Sequence, residues 1–166
     1  TMLEGGEDPR YVARRMIVFA SEDVGNADPR ALPLAVATAQ AIQEIGMPEG
    51  RIPLAQCVTY LALAPKSNAA YAAFKESWKD ARETGSLSPP LHILNAPTKL
   101  MRDLGYKEGY EYDHDTAEGF SGASYWPEEL EPRNYYRPVE RGFEREIRKR
   151  LDYWAKLRER KAGEGG

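Results

Sequence analysis

Apolar side chains recur at helical spacing through the first half of the chain. Val12, Met16, Phe19 and Ala20 fall on one face, and Arg10, Arg14 and Arg15 lie off it. Asp8 followed by Pro9 is an N-cap with proline at the first helical position. Residues 21–27 read as a polar turn, and Asp28 with Pro29 repeats the cap signal. Leu32, Ala35, Val36, Ala39 and Ile42 trace the next stripe, which Gly46 ends. Residues 48–53 form a connection, and residues 54–64 are nearly all apolar. A helix apolar all round is a buried one, so this segment is expected at the centre of a bundle, with Pro65 ending it. Ser67 is the expected N-cap of a fourth helix, whose stripe is Tyr71, Phe74, Trp78 and Ala81 and which Gly85 closes.

The second half changes character. Residues 86–98 carry Pro89, Pro90 and Pro97 and are expected to run extended over the surface. Residues 98–104 form a short helix capped by Gly105. A glycine-rich aromatic stretch follows, with Tyr106, Tyr110, Tyr112, Phe120, Tyr125, Trp126, Tyr135 and Tyr136. It is too aromatic to be disordered, so it is expected to wrap the helices as irregular structure or a small hairpin. So long a connection in a compact domain often carries function. Residues 141–161 then form a helix with one narrow apolar stripe: Phe143, Ile147, Leu151, Trp154 and Leu157. The fold class is therefore all-α, a helical bundle with a long irregular segment before its last helix.

Length adds that 166 residues hold one domain plus short extensions. The expected division is a linker at 1–7, a single helical domain at 8–162 and a tail at 163–166. Thr1 ahead of Met2, and the linker-like residues 3–7, suggest a piece of a longer protein. The net charge of −3 hides an asymmetry. Residues 1–132 carry 12 basic and 20 acidic side chains, whereas residues 133–166 carry 11 and 6. Such a basic end marks either a contact surface or, more commonly, a solvated helix face. No apolar run reaches the roughly 18 residues of a membrane span. The single cysteine, Cys57, excludes an internal disulfide and fits a reducing, cytoplasmic setting. It lies in the most apolar helix, which favours buried packing over a nucleophilic role.

Several chemistries lack their motifs. No Gly-x-x-x-x-Gly-Lys-Ser/Thr occurs, and Lys66-Ser67 follows Ala-Pro where that loop requires glycine. Asp113, His114 and Asp115 offer metal ligands or an acid–base cluster for a free-standing enzyme. Adjacent residues rarely converge on one ion, and His92 is the only other histidine, so a structural hydrogen-bonded histidine is the favoured reading. Arg133, Tyr135, Tyr136 and Arg137, just ahead of the basic helix, are candidates for contact with DNA or a partner, since aromatics stack bases and arginines meet phosphates. Against that stand the acidic body and the interleaved Glu140, Glu144 and Glu146. The stripe of Phe143, Ile147, Leu151 and Trp154 fits either a seam against another subunit or an ordinary intrachain face.

A series of blocks carries a family resemblance. They are residues 21–29 (Ser-Glu-Asp-Val-Gly-Asn-Ala-Asp-Pro), 31–35 (Ala-Leu-Pro-Leu-Ala), 46–49 (Gly-Met-Pro-Glu) and 60–69 (Tyr-Leu-Ala-Leu-Ala-Pro-Lys-Ser-Asn-Ala). Others follow at 95–101, 104–106, 110–115, 127–130, 135–138 and 140–142. In order and over nearly the whole length, the chain resembles the C-terminal region of the replication-associated recombination protein A (MgsA) family of AAA+ ATPases, whose eukaryotic relative is the Werner helicase-interacting protein. Residues 118–125 match less well and inherit no role.

The resemblance implies a helical region like a clamp-loader collar that holds subunits together as a homotetramer. It implies a parent that is a DNA-dependent ATPase using ATP and magnesium at stalled replication forks, in contact with DNA and single-stranded-DNA-binding protein and associated with the nucleoid. The motor lies N-terminal to the matching region, so no catalytic, cofactor or metal residue is expected in this chain. The last-helix stripe is the expected oligomer contact. Lys66, Asn68, Arg102, His114 and Asp115 stand in family-like blocks with no role assigned.

Overall fold

A computed structural model describes residues 2–110 and 112–164. Thr1 of the expected linker, Glu111 of the aromatic stretch and residues 165–166 of the expected tail lie outside the described residues. Among the described residues six α-helices follow in order: α1 (Pro9–Phe19), α2 (Ala31–Ile45), α3 (Arg51–Leu63), α4 (Ala69–Thr84), α5 (Lys99–Asp103) and α6 (Glu144–Glu164). No strand occurs among the described residues, so the fold is all-α and the small hairpin allowed by the sequence is not formed. Glycines and prolines break the aromatic stretch too often for a ladder to propagate. None of the described helices is long and apolar enough to cross a membrane.

The backbone divides into two compact units. The first holds the residues up to 77 together with Tyr135–Lys149. Here α1, α2 and α3 pack on one another. Asp8 caps α1 as expected, its carboxylate accepting from Arg10 N at 2.8 Å. The core is built largely from small side chains: Ala13, Ala20, Ala31, Ala35 and Cys57, with Met16, Val24, Ile42, Leu54 and Leu61 between them. Alanines on facing helices let the axes approach closely.

Three expectations fail in this unit. Residues 20–27 are one π-helical turn, Ala20–Val24, and one 3-10 turn, Gly25–Ala27, with Val24 and Ala27 buried. Asp28 does not cap α2. It opens a turn, accepting from Arg30 N at 3.2 Å, and α2 starts after Arg30 without a side-chain cap. Finally, α3 begins at Arg51 and is not enclosed: Leu54, Cys57 and Leu61 are buried while Ile52, Val58 and Leu63 face solvent.

The second unit holds Trp78–Asn134 and the residues from 150 on. Irregular structure dominates it. The Thr98 hydroxyl caps α5 by accepting from Met101 N at 3.2 Å. A 3-10 turn, Asp113–Asp115, is tied down where Asp113 Oδ1 accepts from Ser121 N at 2.7 Å. Ion pairs tie parts of it together: Arg133 with Asp80 at 2.5 Å, and Arg160 and Lys161 with Glu118 at 2.5 and 3.7 Å. Phe120 stacks on Trp154 with ring centroids 4.9 Å apart.

Candidate assembly surface

The face that α3 turns outward exposes large apolar side chains. Leu63 is 82% exposed, Ile52 72% and Val58 51%. At 100° per residue Ile52 and Leu63 share an arc with Ala55, Gln56, Thr59 and Ala62, with Arg51 and Val58 at its border, opposite the buried Leu54, Cys57 and Leu61. Thr59 adds no free polar group to it, because its hydroxyl donates to Ala55 O at 2.8 Å. On α2 likewise, Ala31, Ala35, Thr38 and Ile42 point inward while Leu32 and Val36 are exposed. From residue 31 to 64 the charged residues are Glu44, Glu49 and Arg51, all at or near the connection between the helices. Large side chains outside and small ones inside reverse the usual order of burial.

Elsewhere in the first unit a clasp of polar groups joins three loops. Glu144, the first residue of α6, is fully buried. Its Oε2 accepts from Ser67 Oγ at 2.8 Å and from Val139 N at 2.7 Å. Its Oε1 accepts from the Tyr136 hydroxyl at 2.9 Å, and Asn26 Nδ2 donates to that hydroxyl at 3.2 Å. A buried carboxylate is tolerated because three donors and the positive end of α6 satisfy it. Burial raises the Tyr136 phenol above its ordinary value. The loops also touch through backbone: Phe143 N donates to Ala27 O at 2.8 Å and Ser67 N to Asp23 O at 2.8 Å. Gly142 sits at φ +52°, and a Cβ there would come within 2.1 Å of Ala27 O.

Two further polar groups fix the helices. Lys66 Nζ donates to Leu61 O at 2.8 Å and also to Ala64 O, placing a cation on the last carbonyls of α3. Tyr60 donates to Asp28 Oδ2 at 2.5 Å, while the Arg30 guanidinium holds both Asp28 oxygens at 2.9 and 3.2 Å. The Arg30 hydrogen bond keeps the Asp28 carboxyl below the usual carboxylate range, and the bond to Asp28 raises the Tyr60 phenol.

The sequence of this chain matches a known family. A model described as the C terminal of the MgsA AAA+ ATPase covers residues 1–155. The chain belongs to the MgsA family. It is 50% identical over 159 residues to the replication-associated recombination protein A of Coxiella burnetii, covering 95% of this chain and 36% of that protein. The Escherichia coli protein of the same name is 47% identical over 155 residues, covering 93% and 35%. The ATPase WRNIP1 of Dictyostelium discoideum is 45% identical over 113 residues, covering 68% and 13%. The chain thus spans about a third of the length of the first two relatives.

Seen as an MgsA-family chain, the sequence blocks at 21–29, 60–69, 135–138 and 140–142 meet at the clasp and at the α3 cap. Lys66 is the cap and Tyr136 a strut of the clasp. Asn68 is exposed at the start of α4, where its carbonyl accepts from Ala72 N at 2.9 Å. Arg102 is exposed in the last turn of α5. His114 is exposed and lies against the Tyr112 ring at 5.0 Å, with Asp115 exposed beside it. Hydrogen bonds from Ser121 hold the Asp113 carboxyl below its usual range. Among the described residues no three His, Cys, Asp or Glu side chains are grouped to hold a metal ion.

Arg133 and Arg137 both pair with carboxylates of α4, Arg137 with both oxygens of Glu76 at 2.9 and 3.0 Å. Tyr135 is half-buried. Of the last-helix stripe, Phe143 and Ile147 belong to the first unit and Leu151 and Trp154 to the second. Phe143 and Leu151 are exposed, and Ile147 and Trp154 are half-buried. Cys57 is buried, with its thiol pushed up by desolvation. The expected α4 stripe is not a core face, since Tyr71, Phe74 and Trp78 are exposed; Lys75 lies over Tyr71 at 5.4 Å, and Arg82 over Trp78 at 5.7 Å.

Sequence reasoning missed Glu144 and the outward face of α3. The signal for the first was a carboxylate at a helix start directly after Gly142 and Phe143. The signal for the second was a helix more apolar than two neighbours can cover.

Proposed function

We propose that this chain is the assembly module of an AAA+ ATPase, holding its subunits together as a homotetramer. The observation that carries the reading is the outward-facing, mostly apolar surface of α3. Family membership supports it as well. An AAA+ motor commonly completes its nucleotide site with residues from a neighbouring subunit, and a tether that keeps subunits together raises their effective concentration. In this reading ATP and magnesium act in a motor outside these residues. The whole protein works in the cytoplasm, at the nucleoid, on stalled replication forks, in contact with DNA and single-stranded-DNA-binding protein. The module takes the part of a clamp-loader collar. Docking on DNA through Arg133 and Arg137 is the less supported reading, since both guanidinium groups already hold carboxylates.

Light scattering on a sizing column, over a range of concentrations, tests this. A mass near four times 18.7 kDa is the expected result. A mass of 18.7 kDa at every concentration contradicts self-assembly of the chain.

A further inference from the structure

We infer that a cavity in the second unit binds a small aromatic anion, a flat ring carrying one phosphate or carboxylate group. The inference is independent of the assembly reading.

The cavity measures about 500 Å³ and is lined by Ala123, Ser124, Tyr125, Trp126, Pro132 and Arg158. All six residues belong to the second unit. Small-molecule sites span roughly 300–1,000 Å³ and are apolar and aromatic with a few placed polar groups. This lining has that form. Two aromatic rings and a proline ring offer flat surfaces to a planar ligand. The Tyr125 ring lies against the His92 ring, with centroids 6.1 Å apart.

The polar groups fix the sign of the ligand, because both of them donate. Ser124 Oγ accepts from Trp126 N at 3.4 Å, which leaves its hydroxyl proton for an acceptor on the ligand. Arg158 is the only charged residue of the lining. Its guanidinium lies over the Phe120 ring, 5.3 Å from the centroid, and Phe120 stacks in turn on Trp154. An aromatic face positions a cation without neutralising it. Among the described residues no carboxylate pairs with Arg158. The next cations along α6, Arg160 and Lys161, are already held by Glu118. A guanidinium left unneutralised beside an apolar cavity suits one anionic group attached to a ring.

Charge also limits the ligand's size. The loop between Trp126 and Pro132, both of which line the cavity, carries Glu128, Glu129 and Glu131, all three exposed. A polynucleotide would set further phosphates near these carboxylates, whereas one small anion needs only Arg158.

Titration calorimetry of the chain with adenosine 5′-monophosphate and with indole-3-acetate tests this. Adenosine and indole-3-acetamide serve as their uncharged counterparts. At least one anion is expected to bind once per chain, and about tenfold or more tightly than its counterpart. The anion that does so tells a phosphate ligand from a carboxylate one. Arg158 is exposed, so Arg158→Gln is expected to keep the helical circular-dichroism spectrum and to abolish the preference for the anion. Lys156→Gln removes an equal charge from the far side of α6, and is expected to leave the affinity within about twofold of the native chain. The inference is overturned if neither anion outbinds its counterpart. It is overturned equally if Arg158→Gln binds as the native chain does, or if Lys156→Gln loses as much as Arg158→Gln.

Discussion

Helices α3 and α6 invert what their compositions suggest. The α3 sequence is almost uncharged, yet Leu63 and Ile52 are among the most exposed large side chains of the chain. The α6 sequence is dominated by charge, yet its first residue, Glu144, is fully buried. The difference lies in what the chain supplies to cover each group. On one side of α3, α1 and α2 bury Leu54, Cys57 and Leu61, and their own small side chains leave the opposite side uncovered. Around Glu144, Ser67, Tyr136 and the 139 backbone arrive with matched donors. Composition tells how much a helix could bury; only the partners decide which side is buried and whether a charge can join it.

The comparison can be broken from either side. The largest effect is expected at the clasp. Glu144→Ala leaves Ser67 Oγ and Val139 N without their buried acceptor, and by the usual cost of dismantling a buried charged network the chain loses about 3–5 kcal/mol. Chemical denaturation followed by circular dichroism measures it. Lys66→Met keeps the aliphatic stem but uncaps α3, and a loss of about 1 kcal/mol is expected in the same assay. The smallest effect on folding is expected at Leu63→Glu, within about 0.5 kcal/mol of the native chain at a concentration where both are monomeric. A large loss there would mean that α3 is held from its outer side within one chain.

Asp28 sharpens the picture with pH. Its folded carboxyl titrates below the ordinary range because Arg30 and Tyr60 hydrogen-bond the charged form. A depressed carboxylate contributes stability that is complete above its unfolded value, about pH 4, and is lost as pH falls through the lower folded value. The denaturation midpoint of the native chain should therefore drop below about pH 4 more steeply than that of Asp28→Asn. Parallel curves would show that the Asp28 bonds contribute nothing to the fold.

Much of this was legible in sequence. The α1 cap at Asp8 and Pro9, the short helix near residues 98–104, the burial of Cys57 and the all-helical class follow from local rules. Local rules misjudged α3, α4 and residues 20–27 because they cannot see tertiary partners. Helical spacing puts Leu32, Val36, Tyr71 and Phe74 on apolar stripes, and the structure leaves all four exposed. Glu144 looked like one more charge on a basic helix, since its partners lie at residues 67, 136 and 139.

The account turns on where two copies meet. Sedimentation equilibrium of the native chain beside Leu63→Glu and Leu151→Glu, at equal concentration, asks this directly. The account predicts that Leu63→Glu sediments at a mass below that of the native assembly while Leu151→Glu stays with it. A Leu63→Glu variant that remains assembled while Leu151→Glu falls apart would place the contact on the last helix and contradict it.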